Sequence, residues 1–298
     1  VRAFAARQHG VQEVVELLAP RPGTTVVDCT VGAGGHSVAI LPHLLPSGRL
    51  IAIDRDAHAL ALSHARLAEF SPQTSFVQEE FRHLPEVLRH LGLSHVQGVL
   101  ADLGLSSLHV DEAARGFSFL KEGPLDMRMD QRQETTAASL IERLSERELT
   151  TLLATYGEER WAGRIARRIV TVRARQPIET TTQLARLVAE AGRFSRSSRR
   201  IHPATRTFLA LRIVVNDELA SLEALLRVLP DALAPQGRAV VISFHSLEDR
   251  LVKQAFRQGA QEGQFRLLTK KPIRPSAEEV AQNPRARSAK LRAVERLG

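Results

Sequence analysis

The chain has 298 residues, 43% of them hydrophobic and 25% charged, ordinary values for a folded protein large enough for two domains. No run approaches 18 apolar residues and the first residues show no charged-then-apolar leader, so neither a membrane span nor secretion is expected and the expected location is the cytoplasm. A single cysteine, Cys29, excludes an internal disulfide and a multi-cysteine zinc site. The net charge of +8, carried by 36 arginines and five lysines, favours a polyanionic partner.

From Thr24 to Ala101 strand and helix patterns alternate. Strands are predicted at 24–28, 49–53, 74–78 and 96–101, with apolar-periodic helices near 36–45, 57–69 and 83–91. This rhythm specifies a parallel sheet with right-handed crossovers. It stops after residue 106. A polar, glycine-containing loop is predicted over 107–135 and helices after it, including one from Tyr156 to Val172. Thr180-Thr181-Thr182-Gln183 reads as a capping box ahead of apolar Leu184, Leu187, Val188 and Ala191. A long helix runs from Ala204 toward Leu233. A strand at 238–244, a helix over 247–257 and strands near 264–269 and 289–294 complete the pattern. The fold class is therefore α/β, with the sheet domain in two pieces, 1–106 and 204–298, and an all-α insertion at 107–203.

The most informative segment is Val26-Val27-Asp28-Cys29-Thr30-Val31-Gly32-Ala33-Gly34-Gly35-His36-Ser37. A β-branched run ends in an acid, a glycine-rich turn follows, and a helix starts near His36. Glycines let the backbone turn sharply and let a ligand approach, and the turn aims free helix N–H groups at it. A dinucleotide fingerprint would require a third glycine at position 37, where the chain has Ser37. Asp54, at the end of the second strand, stands where a ribose-binding acid belongs. A glycine turn with that acid but no pyrophosphate fingerprint suits S-adenosylmethionine (SAM), an adenosine ligand without phosphate.

Ligands of open α/β sheets bind outside the carboxyl ends of the strands, and Asp28, Asp54 and Asp102 all fall there. In Asp102-Leu103-Gly104-Leu105 the acid stands where enzymes that methylate exocyclic base amines place Asp or Asn, without the prolines and aromatic that often follow. Phe117, Phe119 and Phe244 are candidate stacking residues. His245 and Ser246 follow the returning strand at the same sheet edge; Ser246 is also expected to cap the next helix, with Asp249 completing the cap. The clusters Arg193–Arg200 and Asn283–Arg292 combine serine or alanine with arginine, a composition suited to phosphate contacts. Arg193, Arg196, Arg199, Arg200, Arg285 and Arg287, with Ser246, are the candidate RNA contacts.

Taken together, the motifs resemble the bacterial small-subunit ribosomal RNA cytosine-N4 methyltransferases of the MraW type. The resemblance rests on Gly32–Ser37, Ala52–Asp56, Ala101–Ser107, Arg115–Phe119, Pro124–Asp130, Tyr156–Arg160, His202–Phe208, Val215–Leu219, Phe244–Arg250 and Asn283–Leu291, and it spans about positions 13–296. It implies a Rossmann-like class I SAM-dependent fold with a helical insertion, and methylation of N4 of a cytidine in the decoding region of 16S ribosomal RNA in the small (30S) subunit. No metal-binding residue is assigned, and the choice between monomer and homodimer is open at the level of sequence. It also implies that Gly34, Gly35 and His36 meet the methionine end of SAM, that Gly32 is a further cofactor contact, that Asp54 holds the ribose, and that Phe81 and Asp102 lie along the adenine and methyl-donor side. His109 stands where the family usually has Gln at the cofactor, and Gln8-His9-Gly10-Val11 departs from the family's His-x-Pro-Val-Leu entry motif. Asp102 would orient the amine, and water or His245 would take the released proton. A nicotinamide-dependent oxidoreductase, a non-enzymatic RNA-binding factor and a DNA amino-methyltransferase are the competing readings.

Overall fold

A computed structural model describes residues 10–192 and 202–298. The chain divides into two compact units. One comprises the segments up to Gly104 and from Leu219 to Gly298; the other is Leu105–Glu218.

The first unit is built on a seven-stranded sheet. Its strands are β1 (Thr25–Asp28), β2 (Arg49–Asp54), β3 (Thr74–Gln78), β4 (Val96–Asp102), β5 (Leu233–Ser243), β6 (Phe265–Leu267) and β7 (Lys290–Arg296). The spatial order is β3-β2-β1-β4-β5-β7-β6. Strands β1 to β5 are mutually parallel, and β7 runs antiparallel between β5 and β6. The expected α/β class is present, with β7 as an antiparallel strand in an otherwise largely parallel sheet. The helices of this unit are α1 (Val11–Leu18), α2 (Gly35–Leu44), α3 (Ala57–Arg66), α4 (Leu84–His90), α11 (Glu218–Ala232), α12 (Ser246–Gln261) and α13 (Ala277–Gln282).

Strand side chains alternate between two cores because successive residues face opposite sides of a sheet. Val27, Ile51, Ile53, Val99, Ala101, Ala239 and Val241 pack with Leu84 and Leu88 of α4, Leu222, Leu225 and Leu229 of α11, and Val252 and Phe256 of α12. Their neighbours Val26, Leu50, Ala52, Leu100, Val240 and Ile242 pack with Val14 and Leu18 of α1 and Ile40, Leu41 and Leu44 of α2. Burial on both faces explains why these strands read as unbroken apolar runs. Cys29 is buried with them.

The second unit holds α5 (Ser107–Asp111), α6 (Ala137–Arg143), α7 (Glu146–Gly157), α8 (Ala162–Arg173), α9 (Thr181–Ala191) and α10 (Thr205–Val215). Their apolar faces form a separate core around Leu140, Leu149, Leu153, Ile165, Ile169, Leu184, Val188 and Leu211. The predicted capping box is formed: the Gln183 amide donates to Thr180 Oγ1 at 3.3 Å and the Thr180 amide to Gln183 Oε1 at 3.1 Å.

Three elements differ from expectation. The helix predicted from Tyr156 to Val172 is two helices, because Glu158 takes a left-handed conformation (φ 48°) and the Glu159 carboxylate accepts from the Trp161 amide at 3.0 Å. The helix predicted from Ala204 to Leu233 is broken in the same way. Asp217 has φ 45°, and the buried Asn216 amide group donates to Met127 O and accepts from the Met129 amide, both at 2.8 Å. The polar loop after residue 106 opens with α5 and a 3₁₀ turn over Ala113–Arg115.

Candidate active site

The strand order reverses between β1 and β4, the switch point where open α/β sheets form their binding crevice. The turn after β1 carries two glycines with positive φ, Gly32 (52°) and Gly34 (78°). L side chains rarely adopt such angles, so backbone conformation alone calls for glycine here. The turn is pinned to its neighbours on both sides. The Val31 amide donates to Ile53 O at 2.9 Å and the Cys29 amide to Leu100 O at 2.8 Å. Asp54 Oδ2 accepts from the Gly32 amide at 2.9 Å, and Asp54 Oδ1 from the Asp56 amide at 2.9 Å. Asp54 thus fixes the glycine turn directly.

Ser37, the residue that departs from the dinucleotide fingerprint, anchors an acid: its hydroxyl donates to Asp28 Oδ2 at 2.7 Å. Asp28 Oδ1 accepts from the Thr30 amide at 3.2 Å, and Thr30 Oγ1 accepts from the Asp102 amide at 2.7 Å. Burial pushes the Asp28 carboxyl up to about 6, against the Ser37 hydrogen bond and the charge of His36, which favour its ionised form. The serine and threonine links carried no signal in the sequence, because hydroxyls in a turn are common and their partners are remote in the chain.

His36 and Asp102 meet. His36 Nε2 lies 3.3 Å from Asp102 Oδ2, with His36 2% and Asp102 17% exposed. Burial works against an imidazolium here, but the hydrogen bond and charge of Asp102, helped by Asp28, outweigh it and raise the His36 pKa above the ordinary histidine value. Two atoms of this pair, His36 Nδ1 and Asp102 Oδ1, are buried without a hydrogen-bond partner. Leaving such atoms unmet costs about 1–3 kcal/mol each, so they mark positions a polar ligand would satisfy. Carboxylates at three strand ends also suit a ligand that carries positive charge and hydroxyls, as SAM does.

Phe81 is buried in the 3₁₀ turn after β3, with the Arg55 guanidinium carbon 6.0 Å from its ring centroid. Phe244 is half-buried beside Gly104. The cap of α12 differs from expectation by one residue. His245, not Ser246, is the N-cap, and Phe244 and His245 amides donate to Glu248 Oε2 at 2.8 and 3.4 Å. His245 Nδ1 accepts from the Glu248 amide at 3.5 Å, and Nε2 lies 3.1 Å from Glu248 Oε1. Asp249, expected in the cap, instead pairs with Lys290 at 3.0 Å and Arg292 at 2.7 Å. Lys290 and Arg292 of the C-terminal basic cluster are therefore engaged within the sheet unit. Ser246, Arg285 and Arg287 are exposed, the two arginines in a 3₁₀ turn over Pro284–Ser288.

His109 lies in the helical unit, buried, with Nδ1 accepting from the Ser106 amide at 3.3 Å and its ring 5.0 Å from that of Phe117. Phe117 is buried in that unit's core, and Phe119 stacks on His202 at 4.5 Å. Arg193, Arg196, Arg199 and Arg200 lie outside the described residues, as do Gln8 and His9.

Known proteins share this chain's pattern over its length. It matches the MraW methylase family over residues 10–297. It is 47% identical to the ribosomal RNA small subunit methyltransferase H of Syntrophobacter fumaroxidans, covering 97% of this chain and 95% of the relative. It is 48% identical to the protein of the same name from Koribacter versatilis, over 96% and 92%, and 49% identical to that of Geobacter sulfurreducens, over 99% of each. With a positive-φ glycine turn and carboxylates at three strand ends, and a match from residue 10 to residue 297, the chain belongs to the MraW methylase family.

Proposed function

We propose that this enzyme methylates the N4 amine of a cytidine in the decoding region of small-subunit ribosomal RNA. Its methyl donor is S-adenosyl-L-methionine, in keeping with its family, and the relatives' names support small-subunit ribosomal RNA as the substrate. One observation carries the amine. Asp102 Oδ1 is a buried acceptor with no donor, while Oδ2 is held by His36. An exocyclic amine supplies the missing N–H; a ring nitrogen acceptor or a carbonyl does not.

The residues that would hold the cofactor are Gly34, Gly35 and His36 at its methionine end, Gly32 in the same turn, Asp54 at its ribose and Phe81 toward its adenine. Bound SAM supplies an electrophilic sulfonium methyl. Asp102 accepts from the target amine, orients it and favours the positive charge that develops on it. His36, whose pKa Asp102 raises despite its burial, anchors Asp102 through the Nε2–Oδ2 contact. The target cytosine has to be unstacked to reach this sheet edge. His245 Nδ1 is taken up by its own cap, while Nε2 is buried without a hydrogen-bond partner, so water or His245 Nε2 takes the released proton.

The test is incubation with methyl-labelled SAM and unmethylated small subunits, with naked ribosomal RNA and DNA in parallel, followed by nucleoside mass spectrometry. Label in N4-methylcytidine is the expected result; label in another nucleoside overturns the target. Asp102→Ala should lower turnover by about 100-fold or more with SAM affinity kept. Full turnover in that variant removes Asp102 from the mechanism.

A further inference from the structure

The stretch from Arg160 to Arg175 holds six arginines and no acid. It forms the corner between α7 and α8 and then α8 itself. Ala162, Ile165, Ala166 and Ile169 turn into the helical core. That leaves Arg164, Arg167 and Arg168 exposed on the opposite face, continuous with exposed Arg160 before the helix and Arg175 after it.

These cations are not equally engaged. Arg167 meets Glu146 at 3.2 Å and Arg168 meets Glu190 at 2.9 Å, both between exposed side chains. Such pairs are weak and readily exchanged for a phosphate. Arg173 donates to Ile141 O. Arg160 and Arg164 make no ion pair or hydrogen bond among the described residues. Arg164 instead lies over the ring of Trp161, its guanidinium carbon 5.0 Å from the ring centroid. That contact holds the guanidinium plane in place without using its donors.

The corner is held by its own geometry. Glu158 has φ 48°, its carbonyl accepts from Arg206 at 2.9 Å, and the buried Glu159 carboxylate takes the Trp161 amide. Of the acids nearby, Glu146 and Glu190 are the exchangeable partners, the buried Glu159 carboxylate is turned inward, and Glu158 is exposed beside Arg160.

We infer that the Arg160–Trp161–Arg164 corner and the outer face of α8 form an RNA-binding surface, on which the arginines meet phosphates and the Arg164–Trp161 stack receives an unpaired base. A planar guanidinium on an indole is a stacking platform of the kind single-stranded RNA uses. An acidic protein would use the charge but not the stack. The inference rests on the RNA-methylating reading, and it adds to the substrate a surface outside the methyl-transfer site.

Trp161 is the only tryptophan in the chain, so its emission reports on this corner alone. The full-length protein is titrated with a 12-nucleotide oligouridylate at low salt, with polyglutamate in parallel. The variants are R160E/R164E and the charge-matched R227E/R257E, whose arginines are exposed on α11 and α12. Saturable emission change with oligouridylate, absent with polyglutamate, is expected. In R160E/R164E the affinity should fall about ten-fold and the salt slope should become shallower by about 1.4, two phosphate contacts' worth. Thermal melting of this variant should be unchanged, and R227E/R257E should stay within about two-fold of the parent at a given salt. No emission change, an equal response to polyglutamate, or equal losses in both variants overturns the inference. Methyl transfer by the parent is scored separately. Transfer without RNA-dependent emission removes this surface only, whereas emission change without transfer to ribosomal RNA removes the proposed reaction and leaves the surface standing.

Discussion

Asp28 shows how one residue can hold a site and weaken the fold. It has no exposure to speak of, and burial raises its pKa to about 6 although Ser37 and Thr30 both donate to it. A carboxyl whose folded pKa lies above its unfolded value contributes most below the unfolded value, and that contribution is lost as pH rises through about 6. At neutral pH the ionised group therefore costs up to about 3 kcal/mol. Asp28→Asn, which cannot ionise, should gain stability relative to the parent as pH rises from 4 to 7.5. Thermal melting at several pH values checks this, and parallel curves for the two proteins would rule out the burial argument. The acids at the three strand ends were legible because a strand that stops in Asp at a switch-point sheet has a positional meaning. Ser37, Thr30 and the pairing of His36 with Asp102 were not, since each partner is brought close only by the sheet.

At the scale of elements, local signals located helices and strands well and failed where packing decides a break. Gly157 ends α7 against α10. A Cβ placed there would sit 2.7 Å from Arg206 O and 3.2 Å from Ala210 Cβ. Backbone cannot yield as a side chain can, so Gly157→Ala should destabilise the protein by about 1–3 kcal/mol in urea unfolding; a change under about 0.5 kcal/mol would show that the helices part easily. The helical pattern of Tyr156–Val172 carries through this point because its apolar spacing is continuous, and nothing local announces the left-handed Glu158. The break at Asp217 has the same origin. Asn216 turns from a helix residue into a clamp on Met127 and Met129, residues nearly ninety positions away. The shift of the α12 cap from Ser246 to His245 follows from Glu248, whose buried carboxylate takes the Phe244 and His245 amides and sets the helix start. Serine is the better cap in isolation, but it would leave those amides without this partner.

For the whole molecule, the two units have separate cores: two clusters cover the faces of the sheet, and a third, sharing no residue with them, fills the helical unit. The glycine turn proposed to hold SAM belongs to the sheet unit. Calorimetric unfolding should therefore resolve two transitions, of which saturating SAM raises one; at a hundred-fold excess over Kd the stabilisation is about 2.7 kcal/mol. A single transition that moves as a whole would mean that the units unfold together. No described helix is long and apolar enough to cross a membrane, and the excess of arginine finds a use in the exposed face of α8 as well as in buried pairs such as Arg292–Asp249.

The sequence by itself determined the α/β class, the alternating rhythm of the first four strands, the glycine turn with the acid at the end of the second strand, and the family. Each depends on residues close in the chain: apolar alternation, a turn that demands positive φ, an acid at a strand end. Tertiary structure alone decided where the long helices break, which residue caps α12 and which arginines are engaged. It also decided that Asp102 keeps one oxygen unmet while His36 holds the other. These outcomes depend on partners far apart in the chain, and a hydrogen bond or a close approach exists only once the fold has brought both sides together.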